Sequence, residues 1–113
     1  MNLMPDVDRV IDWLLRALDL AEVTEVWLYG SFVRRAPGTQ DVDVMVRFKD
    51  GWVDHAARLR RKIESDFERE FDLPMHAIFL SDNEFRAEAK HLAVVLSEAR
   101  CLRYLGRPNA NAV

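Results

Sequence analysis

The stretch VWLYGSFVRRAPGTQDVDVMV, residues 26–46, consists of two apolar segments separated by a polar loop. The first segment ends at Gly30-Ser31, and the second alternates two aspartates, Asp41 and Asp43, with valines. Successive residues of a strand point to opposite faces. The spacing therefore predicts a strand that buries its valines on one face and holds two carboxylates side by side on the other.

Length and composition indicate a single globular domain spanning residues 1–113. Half of the residues are hydrophobic, 31% are charged, and the net charge of −3 gives no general attraction to nucleic acid. The single cysteine, Cys101, excludes an internal disulfide. The longest apolar run, residues 92–96, is far shorter than the roughly 20 residues that span a bilayer. We therefore expect a cytoplasmic protein without a membrane segment.

Hydrophobic periodicity predicts an α+β fold, in which a small sheet is covered by helices and the chain ends in a C-terminal helix. The predicted helices span residues 6–20, 52–71 and 82–104, the last with a break near Lys90, and residues 31–35 form a helical turn. Strands are predicted over residues 25–29, 41–48 and 73–80. A flexible tail is expected at residues 106–113.

The carboxylate pair has a chemical purpose if it holds a cation. Two neighbouring carboxylates repel each other, and Mg²⁺ relieves that repulsion while accepting water and phosphate oxygens as its other ligands. Gly30 permits a sharp turn, and Ser31 begins a helical turn whose free N–H groups can hold a phosphate. A metal site beside a phosphate-binding turn is typical of phosphoryl or nucleotidyl transfer. Asp41 and Asp43 on a merely solvated strand face remain the alternative.

The sequence Gly30-Ser31, nine residues, then Asp41-Val42-Asp43 resembles the G-S…D-x-D signature of the DNA polymerase beta superfamily. The short chain is similar to the minimal nucleotidyltransferase members of that superfamily. The resemblance implies a mixed sheet flanked by helices, with Gly30 and Ser31 contacting a nucleoside triphosphate, expected to be ATP. It also implies that Asp41 and Asp43 bind Mg²⁺ and that a nucleoside monophosphate is transferred to a hydroxyl of a protein or nucleic acid.

The family's third carboxylate corresponds to His76 in this chain. Imidazole can bind a metal or accept a proton, so His76 is a candidate catalytic residue, although a histidine that satisfies its nitrogens locally at the sheet edge is an equal alternative. Two nearby acids, Asp72 and Glu84, are candidates to replace the missing carboxylate. A domain that lost this carboxylate would be a catalytically inactive module that binds nucleotide or a protein partner.

The remaining charged and aromatic residues leave the question of partners open. Arg34 and Arg35 follow the proposed phosphate turn, where they would bind triphosphate or serve as exposed loop charges. The resemblance implies a helical protein partner, frequently in a toxin–antitoxin pair, and the predicted C-terminal helix alternatively suits a homodimer. The basic run of residues 58–62 indicates a solvated helix face rather than a nucleic-acid contact. Surface positions are expected for His55 and His91, and positions in or near the core for Trp13, Trp27 and Trp52.

Overall fold

A computed structural model of the chain describes residues 4–35, 37–105 and, as backbone, 107–108. These residues form a five-stranded mixed sheet in the order β3-β2-β1-β4-β5, so the predicted α+β class is confirmed. No helix in the described ranges is long and apolar enough to cross a membrane. The elements in chain order are α1 Val7–Ala17, β1 Val23–Tyr29, β2 Val42–Phe48, α2 Val53–Phe71, β3 Met75–Ser81, α3 Asp82–Ala87, α4 Ala89–Leu96, β4 Arg100–Tyr104 and β5 Arg107–Pro108.

Strand β2 lies inside the sheet, with β1 antiparallel on one side and β3 parallel on the other. Its three alternate valines, Val42, Val44 and Val46, are completely buried. Both edges of β2 are hydrogen-bonded, and its valine face is covered, which is why a β-branched run is favoured here. The predicted alternation along this strand is thus confirmed, with Asp41 lying immediately before the strand rather than in it.

The valine face of the sheet packs against α1 and α2 in one hydrophobic core. Helix α1 starts at an N-cap, Asp6, whose side chain accepts a hydrogen bond of 2.9 Å from the Asp8 N–H. The two helices meet where the Trp13 and Phe67 rings pack edge to face, 5.4 Å apart. Burial of each such large apolar side chain contributes about 1.5–3 kcal/mol, so this core supplies most of the driving force for folding.

The opposite face of the sheet is covered by the shorter helices α3 and α4, which contact β2 and β1. Helix α3 begins at a capping box, in which Ser81 and Glu84 exchange side-chain to backbone hydrogen bonds. Arg47 of β2 ties α3 to the sheet through hydrogen bonds of 2.8 Å to Glu25 and 2.7 Å to Asp82. Within the part of the chain that the structure describes, helix α4 has no comparable ion pair to the sheet, and none of its residues is buried.

The main departure from the predicted fold is at the end of the chain, where the predicted helix over residues 82–104 is wrong in its last part. The helical segment breaks at Glu88 and ends at Leu96, and Arg100–Tyr104 forms strand β4. Strand β4 pairs with the outer edge of β1 and buries Leu102 completely. Satisfying the open edge of β1 outweighs the local helical spacing of the apolar residues.

The other boundaries differ by a few residues. Helix α1 ends at Ala17 instead of residue 20, and β1 begins at Val23 because it pairs with Phe48. Residues 31–35 form the predicted turn, in which the Arg34 N–H donates to the Gly30 carbonyl. Of the predicted tail, residues 106 and 109–113 lie outside the described ranges, and Arg107–Pro108 pairs with β4 as β5.

Replacing Arg47 by methionine should lower the free energy of unfolding by about 2–4 kcal/mol, because it leaves Glu25, only 3% exposed, as an unpaired buried charge. Urea denaturation followed by circular dichroism measures this loss. Lys62→Gln is the control, because its pair with Asp66 is exposed and should contribute little. Equal effects of the two substitutions would contradict the role given to Arg47.

Candidate functional site

The pairing of three strands places the candidate site residues together. Asp43 of β2 lies opposite Tyr29 of β1 and beside His76 of β3. Paired residues on adjacent strands share a face, so these three side chains lie on the face away from the valine core. His76 Nδ1 is 3.6 Å from Asp43 Oδ1. Asp41 precedes Asp43 by two residues and adds a second carboxylate at the same end of the sheet.

Gly30 is packed directly against Asp43. Its φ of +83° is in the region that disfavours side chains, and a Cβ atom at this position would overlap Asp43 Oδ2. Glycine is therefore needed here for two reasons, the backbone turn at the end of β1 and the space occupied by the carboxylate.

The turn after Gly30 presents unpaired backbone N–H groups. Phe32 is 2% exposed and anchors the turn in the core, while the Arg34 N–H donates to the Gly30 carbonyl at 3.3 Å. Within the described residues, the N–H groups of Ser31, Phe32 and Val33 donate to no acceptor. Successive free N–H groups in a turn form a concave site for an anion such as phosphate.

Negative charge is concentrated at this end of the sheet. Burial and the neighbouring Asp41 carboxylate raise the pKa of Asp43, against a smaller lowering effect of His76. Burial, Asp43 and Asp41 also raise the pKa of the Tyr29 hydroxyl. Both shifts mean that the site disfavours further negative charge and would be stabilised by a cation.

The donor set fits a hard divalent cation that is only partly coordinated by protein. Asp41 and Asp43 supply carboxylate oxygens, but the described residues contain no group of three His, Cys, Asp or Glu side chains arranged as a metal site. Mg²⁺ is commonly bound by one or two carboxylates, with water and phosphate oxygens completing its coordination. These residues therefore suit Mg²⁺ bound together with a phosphorylated ligand.

The two acids considered as a third carboxylate are differently placed. Glu84 is not available, since its side chain accepts a hydrogen bond of 3.0 Å from the Ser81 N–H at the far end of β3. Asp72 is an exposed residue at the C-cap of α2, with a left-handed φ of 53°. His76, with a side chain 67% exposed, is the residue that stands next to Asp43.

A cavity of about 370 Å³ adjoins the turn, between Gly30 and α4. Arg34 lines it and forms an exposed ion pair of 3.6 Å with Glu98, whereas Arg35 is exposed in the loop. Sequence reasoning did not single out three other lining residues, Tyr29, Val94 and Val95. Tyr29 could have been found from the strand that ends at Gly30, but nothing local indicates that α4 returns to this turn.

Comparison with known proteins finds similarity to solved structures only. No family model matches the chain, and no curated protein matches it significantly. A crystal structure of the toxin–antitoxin MntA-HpeT with a Tyr-to-Ala substitution has a TM-score of 0.60 and 17% identity, covering 89% of this chain and 74% of that chain. A toxin–antitoxin structure with AMP-PNP has a TM-score of 0.57 and 15% identity, covering 88% and 74%.

A third solved structure, MntA-HpeT with two Asp-to-Glu substitutions at positions two apart, has a TM-score of 0.58 and 14% identity over the same shares, 88% and 74%. At these identities the similarity concerns the fold and not the chemistry. The chain therefore has a nucleotidyltransferase-like fold.

Gly30→Ala should disrupt the site more than Gly38→Ala does. Both glycines have positive φ, +83° and +77°, so both substitutions add backbone strain of roughly 1–3 kcal/mol. Only at Gly30 does the added Cβ meet Asp43, because among the described residues, chain neighbours apart, no atom lies within 4 Å of the corresponding position at Gly38. Urea denaturation should show a larger loss of the free energy of unfolding for Gly30→Ala, and Mg²⁺ titration should show a larger loss of Mg²⁺ affinity. Equal losses would contradict the packing of Gly30 on Asp43.

Asp43→Asn should raise the melting temperature at neutral pH. The pKa of Asp43 is raised in the folded chain, so the ionised carboxylate destabilises the fold above that pKa, and the penalty disappears as pH falls below the ordinary value of 3.8. The advantage of Asp43→Asn should therefore shrink on acidification. Asp66→Asn is the control, because the Lys62 hydrogen bond lowers the pKa of Asp66 and the ionised carboxylate therefore stabilises the fold. This substitution should lower the melting temperature at neutral pH instead of raising it. A lower melting temperature for Asp43→Asn at pH 7 would contradict the account.

Proposed function

We propose that this protein is a Mg²⁺-dependent nucleotidyltransferase that moves a nucleoside monophosphate from a nucleoside triphosphate, with ATP as donor, onto a hydroxyl of a protein or nucleic acid. The observation that carries the proposal is the packing of Asp43 against Gly30, beside Asp41 and the free N–H groups of the turn. This arrangement brings an acidic cation site and an anion-binding turn within one small volume, as nucleotidyl transfer requires.

In the proposed reaction the acceptor oxygen attacks the α-phosphorus and forms a new P–O bond. The bond between the α-phosphorus and the bridging oxygen breaks, and pyrophosphate leaves with its electron pair. The N–H groups of Ser31 to Val33 hold phosphate oxygens, and Arg34 exchanges Glu98 for the triphosphate. His76, beside Asp43, orients the acceptor and takes its proton.

Mg²⁺ bound by Asp41 and Asp43 would neutralise the triphosphate and stabilise the charge that develops on the leaving group. The raised pKa of Asp43 supports this assignment, because a carboxylate held near a like charge gains most from a cation.

The comparison structures support the proposal that this chain uses a nucleotide and binds a protein partner. One is a toxin–antitoxin complex with AMP-PNP, an analogue of ATP, and another carries substitutions at two aspartates with the spacing of Asp41 and Asp43. By analogy we propose a cytoplasmic toxin–antitoxin pair in which a second, helical protein binds this chain and serves as acceptor. A second copy of this chain is the alternative partner.

Transfer of radioactive label from each α-labelled nucleoside triphosphate tests the proposed reaction. With Mg²⁺ or Mn²⁺, the wild-type protein should label a co-expressed partner, itself or added RNA, and ATP should be the best donor. Asp41→Asn and Asp43→Asn should reduce labelling at least about 100-fold, the scale expected when transition-state charge stabilisation is lost. Asp50→Asn is the matched control, because Asp50 is an exposed acid at the other end of β2. Labelling that survives both site substitutions would overturn the proposal.

The second candidate function is an inactive nucleotidyltransferase-fold module that binds nucleotide or a protein partner. The presence of His76 beside Asp43, where the resemblance places a third carboxylate, favours it. Calorimetry with Mg²⁺ and an α,β-methylene analogue of ATP, in which the bond that nucleotidyl transfer breaks is blocked, separates the candidates when combined with the transfer assay. Binding without transfer supports the module, whereas the absence of both nucleotide binding and transfer contradicts both site-based functions.

A further inference from the structure

A second, more apolar cavity lies at the opposite end of the sheet. It has a volume of about 270 Å³, and its walls come from the start of β1, the end of β2, the first turns of α2 and Phe79 of β3. Phe48, which lines it, follows Asp43 by five residues on the same strand, a separation of about 17 Å at the rise of a β-strand. The cavity is therefore separate from the candidate active site.

The walls of this cavity are rich in aromatic rings. Phe48, Trp52 and Phe79 line it together with the aliphatic residues Leu20, Val23 and Leu59. A dry apolar cavity of about 150 Å³ is sufficient to bind benzene, so this larger one can hold a ring with a short substituent. Ring-lined walls favour an aromatic occupant through edge-to-face and offset contacts.

The lining of the cavity includes an exposed cation, Arg58. Arg58 Nη2 donates to His55 Nδ1 at 2.8 Å, and the His55 ring packs on Trp52 with centroids 4.9 Å apart. Among the described residues, no carboxylate lies within 4.0 Å of the Arg58 guanidinium. The neighbouring Lys62 is already bonded to Asp66 at 2.6 Å. Arg58 therefore has donors free for an anion at the edge of an apolar space.

We propose that this cavity binds a small aromatic carboxylate, with the ring between Trp52 and Phe48 and the carboxylate on Arg58. The hydrophobic walls supply affinity, and the planar guanidinium selects a carboxylate over a neutral head group. Glu22, which also lines the cavity, disfavours ligands with a second negative charge. The basic run of α2 thus includes one arginine with a role beyond solvation, and this role does not depend on nucleotidyl transfer.

The test uses 3-phenylpropionate, its neutral amide and 2-phenylethylamine as probes of the full chain. Calorimetry gives the affinities, and amide and indole N–H resonances locate the site. The acid should saturate the cavity and shift the Trp52 indole resonance, and it should bind about fivefold to tenfold more tightly than the amide, as expected for one charge-assisted hydrogen-bonded contact. The amine should bind more weakly than both.

Two substitutions on the exposed face of α2 provide the matched comparison. Arg58→Gln should lower the affinity for the acid until the acid binds no better than the amide. The affinity for the amide should stay as in the wild type. Arg60→Gln removes a neighbouring exposed cation that does not line the cavity and should leave the acid's affinity as in the wild type. Equal affinity of acid and amide for the wild type, tighter binding of the amine, no saturable binding, or resonance shifts confined to residues 29–43 would each overturn the proposal.

Discussion

The register of β2 with its two neighbours is the constraint on which the rest of the structure depends. The antiparallel pairing with β1 sets Tyr29 opposite Asp43, and the parallel pairing with β3 sets His76 beside it. The same register buries Val42, Val44 and Val46 against α1 and α2. A shift by one residue would expose the valines and bury the carboxylate, so core packing and site geometry are fixed by one set of hydrogen bonds.

The candidate site conflicts with the stability of the fold that holds it. Partial burial and, to a smaller extent, Asp41 raise the pKa of Asp43, and Gly30 is required because a side chain would displace that carboxylate. Such concentrated like charge at a sheet end is unfavourable without a cation and is a common mark of functional sites. Arg47 shows the contrasting arrangement, since its partly buried charge is neutralised by Glu25 and Asp82 and ties α3 to the sheet.

Much of this architecture could be predicted from local pattern, and what could not depends on long-range pairing. The alternation in β2, the helical span of α2 and the Ser81–Glu84 capping box each follow from residues close together in sequence. The segment Arg100–Tyr104 continues an apolar spacing compatible with a helix, and only the open edge of β1 makes it a strand. Tyr29 and the α4 residues that line the cavity beside Gly30 were not predicted, for the same reason. Their positions depend on strand pairing and on the packing of α4 near the turn after Gly30.

A crystal structure with Mn²⁺ and a non-hydrolysable ATP analogue would show whether Asp41 and Asp43 bind the metal and the turn after Gly30 binds the triphosphate. Mn²⁺ suits this experiment because it can replace Mg²⁺ and gives an anomalous signal. We expect an anomalous peak within coordination distance of carboxylate oxygens of Asp41 and Asp43, with phosphates over the N–H groups of Ser31 to Val33. His76 should lie next to this peak, toward the position of the acceptor. A metal bound elsewhere, or a triphosphate that makes no contact with the turn after Gly30, would contradict the account.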